Sequence, residues 1–159
     1  NYLEKGDSSI NNLQIYTSLL EGNEWDKVQK LSFNNKNYSF GHPTLSKDGL
    51  TMYFVSDQPG GKGGTDIYVS KFENLMWSKP INIGEVINTF GNEMFPYLDD
   101  RNDTTRLYYS TNGKPGLGGL DIYYSNLVEG KWSSPIHMTY PINSSKDDFG
   151  ITFINKNKE

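Results

Sequence analysis

The chain has 159 residues and a formal net charge of −4, with acidic and basic residues interspersed. It lacks the basic stripe that neutralises a phosphate backbone, so the composition argues against a nucleic-acid partner. The absence of cysteine excludes disulfides, thiolate catalysis and cysteine-ligated zinc. No apolar run approaches the roughly 18 residues that span a bilayer, so we expect no membrane span.

A short phrase built on Ile-Tyr recurs three times along the chain. It occurs as Gln14-Ile15-Tyr16, Asp66-Ile67-Tyr68 and Asp121-Ile122-Tyr123, with the tyrosines 52 and 55 residues apart. The same steps separate Trp25, Trp77 and Trp132. A period of this size, with Gly-rich turns and no helical segment, is typical of β-propeller blades. The sequence therefore predicts an all-β fold of four-stranded antiparallel blades.

The repeat divides the chain into two complete blades and two partial ones. Residues 13–35 would end one blade, 36–88 and 89–143 would each form a blade, and 144–159 would begin another with a first strand at 149–154. Propellers normally need about four to eight blades to close a ring. We therefore expect the rest of a propeller, or a second copy of the chain, to cover both ends.

Within each complete blade, the predicted strands follow the same order. Extended runs at 41–49 and 94–100 come first, and aromatic-rich second strands follow at 50–56 and 107–111. The Ile-Tyr phrase lies in the third strand, and the fourth strand follows the tryptophan. Because the second strands carry consecutive apolar residues, both of their faces must be covered. Residues with a predicted packing role between blades are Trp25, Trp77, Trp132, Tyr68 and Tyr123.

Two glycine-rich loops precede the third strands and contain Gly63-Gly64 and Gly118-Gly119. A strand follows each loop, whereas a phosphate-binding loop precedes a helix. We predict hairpin loops that need several positive φ angles. Asp66 and Asp121 would fix these loops by accepting hydrogen bonds from their amides. No cofactor and no metal site are predicted, with calcium at the loop carboxylates as the alternative.

Glu93 and Asp148 each lie five residues after an asparagine, just before a predicted innermost strand. In a propeller this position faces the mouth of the central channel, so both carboxylates and His42 are binding candidates. Paired carboxylates could hydrolyse glycosides if one had a raised pKa. The other interpretation of Glu93 and Asp148 is a capped turn or a solvated rim. No catalytic residue is predicted.

A family resemblance is carried by the string Pro-x-Leu-Ser-x-Asp-Gly-x-Thr-x-Tyr-Phe-x-Ser-Asp at Pro43–Asp57. It continues in Gly63-Gly64-Thr65-Asp66-Ile67-Tyr68 and in Trp77-Ser78-x-Pro80, and the second blade repeats much of this pattern. The chain resembles the WD40-like repeat of TolB-type propellers, especially the variety in Bacteroidetes envelope proteins that join it to an OmpA-like domain. No OmpA-like domain is present in this sequence, so the peptidoglycan-binding role of those relatives does not transfer to it.

Two functions remain open at this point. The resemblance implies a non-catalytic protein-interaction scaffold of a bacterial cell envelope, located in the periplasm or at the outer membrane. Its partner would be an envelope protein in an outer-membrane, peptidoglycan-associated or type IX secretion-linked assembly. The alternative is a carbohydrate-active or other hydrolytic propeller enzyme with acidic residues at the channel mouth.

Overall fold

A computed structural model describes residues 11–101 and 103–154 of the chain. Every regular element in these ranges is a β-strand, and the named strands pair only in antiparallel fashion. The predicted all-β class is therefore confirmed, whereas none of the sheets formed by the described residues closes on itself. The strands are β1 (Tyr16–Thr17), β2 (Leu20–Glu21), β3 (Glu24–Trp25), β4 (Gln29–Lys30), β5 (Phe40–Leu45), β6 (Thr51–Ser56), β7 (Asp66–Glu73), β8 (Met76–Trp77), β9 (Ile81–Asn82), β10 (Glu93–Asp99), β11 (Arg106–Thr111), β12 (Asp121–Val128), β13 (Lys131–Trp132) and β14 (Ile136–His137).

Two five-stranded sheets with the same topology form the centre of the molecule. In the first sheet the order is β5-β6-β7-β8, and β9 also pairs with β7; in the second the order is β10-β11-β12-β13, and β14 pairs with β12. Pro80 lies between β8 and β9, and Pro135 lies between β13 and β14. Because proline has no N–H to donate to a ladder, the predicted fourth strand is interrupted in each sheet.

The second strand of the first sheet buries both of its faces, as its consecutive apolar residues predict. Met52 and Phe54 pack towards the N-terminal side, whereas Tyr53 and Val55 pack towards the second sheet. This division follows from the period of two, which points successive side chains to opposite faces of a sheet. The first sheet is consequently covered on both sides.

The contact between the two main sheets, here called the central interface, is a continuous apolar cluster. Trp132 packs against its edge, with its ring edge-on to that of Tyr53 at a centroid distance of 5.8 Å. Tyr123 is buried in this cluster. The buried members are Tyr53, Val55, Ile67, Ile87, Leu98, Leu107, Tyr109 and Tyr123.

A second apolar cluster joins the first sheet to the N-terminal segment (residues 11–39). Phe33 of that segment stacks on Phe54 with ring centroids 5.0 Å apart, and Trp77 packs against the cluster. The segment contains β1 to β4, in which Leu20 pairs with Trp25 as Phe72 pairs with Trp77 in the first sheet. The buried members are Ile15, Leu31, Phe40, Met52, Phe54 and Tyr68.

Two expectations about the ends of the chain are wrong. Trp25 is exposed instead of packed, because no described sheet covers the outer side of the N-terminal segment. Residues 149–154 form no strand. Their counterpart in the preceding repeat, β10, pairs with the second strand β11, and no described strand takes the place of β11 beside residues 149–154. Residues 155–159 of the predicted partial blade lie outside the described ranges. Among the described residues there is also no helix with the length and apolar character needed to cross a membrane.

Candidate functional site

The first strands of both main sheets carry a bulge at the same place. The bulged residues, His42 and Phe95, have φ values of 49° and 51°, and each precedes a proline. Positive φ is uncommon for residues other than glycine and persists where the surrounding structure fixes it. Gly150 has a φ of 72° at the corresponding position after the second sheet. The same unusual backbone therefore recurs three times at the repeat spacing.

Three rings lie in a stack at this place, here called the aromatic column. His42 and Phe95 are the bulged residues, and Phe149 directly precedes Gly150. The His42 and Phe95 rings lie 4.2 Å apart at 16°, and the Phe95 and Phe149 rings lie 4.8 Å apart at 21°. The backbone N–H of Phe95 donates a long hydrogen bond of 3.4 Å to Nδ1 of His42. Phe149 ends the column with 55% of its surface exposed. The column is thus a continuous aromatic surface that crosses from one repeat to the next.

His42 lies at one end of the aromatic column, and its protonation state follows from its surroundings. Burial lowers the pKa of His42 below its ordinary value, because the apolar rings disfavour the imidazolium form. The neutral ring keeps a lone pair on Nδ1 for the Phe95 N–H. His42 therefore acts as an aromatic ring and hydrogen-bond acceptor at neutral pH.

Side chains also join β5 to β10 and hold the aromatic column in place. The backbone N–H of Leu98 donates to Oγ1 of Thr44 at 3.1 Å. The N–H of Lys47 donates to the carboxylate of Asp100 at 2.7 Å, a charge-assisted bond. These bonds connect adjacent repeats at several points along their first strands, so the column lies on a fixed scaffold.

The structure places Glu93 in the interior of the described part of the chain. Glu93 has no exposed surface, and its carboxylate accepts bonds from N and Oγ1 of Thr89 at 2.8 and 2.6 Å and from Oγ1 of Thr111 at 2.7 Å. Such a carboxylate ties its own turn to the neighbouring strand. The geometry favours the capped-turn interpretation of Glu93 over ligand binding.

Asp148 makes the corresponding cap one repeat later, but it is only half-buried. Its carboxylate accepts bonds from N and Oγ of Ser144 at 2.6 and 3.0 Å. No hydrogen bond or ion pair between described residues joins Asp148 to Glu93 or to His42. The three predicted binding candidates make no hydrogen bond to one another among the described residues, and only His42 belongs to the aromatic column.

Asp66 and Asp121 each hold the loop that precedes their strand. Asp66 accepts bonds from the N–H groups of Lys62 and Gly63 at 2.6 and 3.2 Å. Asp121 accepts them from Leu117 and Gly118 at 3.1 and 3.0 Å. Within the described part of the chain, no group of three or more His, Asp or Glu side chains is suited to hold a metal ion.

Asp121 has a further contact that distinguishes it from Asp66. Nε2 of the His137 ring lies 3.3 Å from its carboxylate. Burial acts to raise the pKa of Asp121, but the Leu117 and Gly118 amides and the His137 ring lower it by more. The pKa of Asp121 therefore lies below its ordinary value, and the charged form that accepts the loop bonds is stabilised.

Close approach explains most of the glycines of these loops. Gly60 has a φ of 91°, but it is the one glycine of the two loops with a positive φ, so the prediction of several positive φ values is wrong. Neither Gly63 nor Gly118 has a positive φ. A Cβ on Gly63 would overlap the backbone carbonyl oxygens of Thr89 and Gly91, and a Cβ on Gly118 would overlap that of Lys146. Gly64 and Gly119 lie as tightly against the Asn92 and Asp147 side chains. Each loop thus packs directly on the link that leads into the next repeat.

The sequence reasoning missed three asparagines that act on the third strands. The side chain of Asn88 accepts from Ile67 N–H and donates to Ile67 C=O, both at 2.9 Å. Asn143 does the same to Ile122 at 2.8 and 2.9 Å. Asn34 binds Ile15 in the same manner, at 3.3 and 2.6 Å. We call this two-bond contact the asparagine clip. Because Asn88 and Asn143 are separated by the length of one repeat, their shared role can be predicted from the spacing of the repeats.

The fold and these contacts define an all-β protein of repeated antiparallel sheets, in which side chains and loops connect one repeat to the next. No family model, curated protein or solved structure matches the chain.

Proposed function

We propose that the chain is part of a β-propeller that serves as a non-catalytic protein-interaction scaffold in a bacterial cell envelope, in the periplasm or at the outer membrane. The aromatic column would be the contact surface for an envelope protein. The observation that carries the proposal is the column itself, held by positive φ at His42 and Phe95 and ending in the exposed ring of Phe149. Strained backbone of this kind is concentrated at sites of recognition and function.

One further observation and one general principle support a binding role without turnover. The carboxylates that could have served hydrolysis, Glu93 and Asp148, accept hydrogen bonds from their own turns. Aromatic side chains fixed by a rigid scaffold are frequent anchors of protein interfaces, because they bury a large surface at a small cost in conformational entropy.

The test compares two variants with nearly equal exposure at the mutated position. Phe149→Ser removes the outer ring of the column, and Leu117→Ser changes a residue with 54% exposure in a glycine-rich loop. We expect one envelope protein to be cross-linked by the wild-type chain and by Leu117→Ser, and to be lost with Phe149→Ser. Equal capture by all three proteins would contradict the proposal. So would glycan hydrolysis by the wild-type chain that is lost on Glu93→Gln.

A further inference from the structure

Asn82 and His137 occupy the same position in the two main sheets, because each pairs with the tyrosine of the Ile-Tyr phrase. Each therefore lies next to the loop carboxylate of its own repeat, Asp66 or Asp121, which is two residues before that tyrosine. Both aspartates are only 1% exposed. A buried carboxylate oxygen needs a hydrogen-bond donor, so the two repeats must meet the same requirement with different side chains.

In the second sheet the imidazole itself is the donor. Nε2 of His137 lies 3.3 Å from Oδ1 of Asp121 and 3.0 Å from Nδ2 of Asn143. The two hydrogens of the Asn143 amide are donated to the C=O groups of Ile122 and Met138, at 2.9 and 2.6 Å. Since an ionised carboxylate can only accept, Nε2 carries the hydrogen of this contact. The ring of His137 thus joins β14 directly to the loop carboxylate.

In the first sheet the shorter asparagine makes no such contact. Oδ1 of Asn82 accepts hydrogen bonds from the N–H of Gly84 at 2.9 Å and from Nδ2 of Asn88 at 2.8 Å, which fixes the orientation of the Asn82 amide. The loop amides bind Oδ2 of Asp66 and not Oδ1. Nδ2 of Asn82 and Oδ1 of Asp66 are both buried, and neither has a hydrogen-bond partner among the described residues. A donor and an acceptor therefore face the position that the imidazole fills one repeat later.

We propose that Asp66 and Asn82 bind a single water molecule between them, at a position here called the solvent site. The water accepts a hydrogen bond from Nδ2 of Asn82 and donates one to Oδ1 of Asp66, as befits polar atoms too far apart for a direct bond. The Tyr68 hydroxyl is a third polar neighbour, since a Cβ on Gly61 would touch both this hydroxyl and the Asp66 carboxylate. Buried waters typically make about three hydrogen bonds. A cation is disfavoured, because the Asn82 amide presents hydrogens to the site.

The first test is a crystal structure of the full chain at a resolution that shows ordered water. We expect one water within hydrogen-bonding distance of Oδ1 of Asp66 and Nδ2 of Asn82. Two reciprocal variants sharpen the test. In Asn82→His the imidazole should displace this water, and in His137→Asn a water should appear beside Asp121.

The second test measures amide hydrogen exchange in solution. The N–H groups of Lys62 and Gly63 bind the Asp66 carboxylate, so a direct donor to its other oxygen should hold their loop more firmly. We expect their exchange to slow by at least about threefold in Asn82→His. The matched control, Asn37→His, adds an imidazole at an exposed asparagine and should leave these rates unchanged. Equal rates in the wild type and in Asn82→His would contradict the inference.

Three crystallographic outcomes would overturn the inference. One is a direct hydrogen bond from Asn82 to Asp66 or to the Tyr68 hydroxyl in the wild-type chain. Another is a monovalent cation at the solvent site, which anomalous scattering would reveal in crystals grown with thallium(I). The third is the lack of any electron density between the two side chains. None of these outcomes bears on the proposed function, because the solvent site contains no member of the aromatic column.

Discussion

The two main sheets have the same topology but different surroundings. The difference shows which neighbouring element buries the side chains of a repeat. The first sheet has a buried apolar cluster on each face, whereas the outer face of the second carries a smaller group of rings in which Phe153 packs on Tyr97 and Tyr108. Ile87 and Ile142 occupy the same position in the two repeats, yet Ile87 is fully buried and Ile142 is 44% exposed. A side chain at this position is thus buried by the sheet that follows it. Each repeat depends on its neighbour for stability, as in other repeat architectures.

The strongest test of this dependence is a pair of matched substitutions. Ile87→Ala should lower the free energy of unfolding by about 2–5 kcal/mol, because it leaves a cavity in the central interface. Ile142→Ala should cost less than about 1 kcal/mol, since nearly half of the Ile142 surface is already exposed to water. Urea unfolding of both variants checks the difference. Equal losses would mean that the position is buried by its own repeat.

A second pair of substitutions compares the asparagine clips. Asn88→Ala leaves both backbone groups of Ile67 buried without their partners, which should cost about 2–4 kcal/mol in unfolding free energy. Asn34→Ala should cost about half as much or less, because this clip is more exposed. Urea unfolding again provides the measurement, with the exposed Asn37→Ala as a control. A larger loss for Asn34→Ala than for Asn88→Ala would contradict this ranking.

A third pair compares the two capping carboxylates. The Glu93 carboxylate accepts three hydrogen bonds, and the NH₂ group of a glutamine at this position could not accept those made to one of its oxygens. Glu93→Gln should therefore destabilise the chain by about 1–2 kcal/mol. Asp148→Asn should cost no more than about 1 kcal/mol, since its cap is half-exposed. Thermal unfolding of the two variants at equal pH measures the difference. No loss on Glu93→Gln would remove the structural role assigned to this carboxylate.

The smallest expected effect is a dependence of stability on pH that arises from His42. Because burial lowers the pKa of the folded His42, the unfolded chain takes up a proton first as the pH falls below the unfolded value of about 6.5. The contribution is complete above that pH and is lost as the pH decreases towards the folded pKa. Urea unfolding between pH 8 and about 5 should show this slope in the wild type and not in His42→Gln. An identical slope in both proteins would contradict the assignment.

Much of the fold could be predicted from the sequence, because the repeated pattern of apolar residues indicates which strand faces are buried. The consecutive apolar residues of β6 require cover on both faces, and the structure provides it on both. The interruption of the fourth strand depends on Pro80 and Pro135, which are visible in the sequence. The exposure of Trp25 could not be predicted, because it depends on which neighbouring strands are present and not on the residue itself.

The candidate site was less predictable than the fold. Glu93 and Asp148 both lie five residues after an asparagine, but only Glu93 reaches a threonine of a second strand, because no such strand is described after Asp148. The aromatic column joins residues more than 50 positions apart, and its positive φ values leave no local sequence signal at His42 or Phe95. The asparagine clips, in contrast, recur at the repeat spacing, so a residue-by-residue comparison of the repeats predicts them.

The divided outer strands have a consequence for how the molecule meets other chains. β8, β9, β13 and β14 are two residues long, and a proline separates the members of each pair. Edge strands this short, separated by a proline whose nitrogen carries no hydrogen, offer a poor template for the stacking of strands into fibrils. The sheet edges formed by these four strands are consequently protected against edge-to-edge aggregation. The sequence nevertheless contains several aromatic-rich strands of the kind that form amyloid.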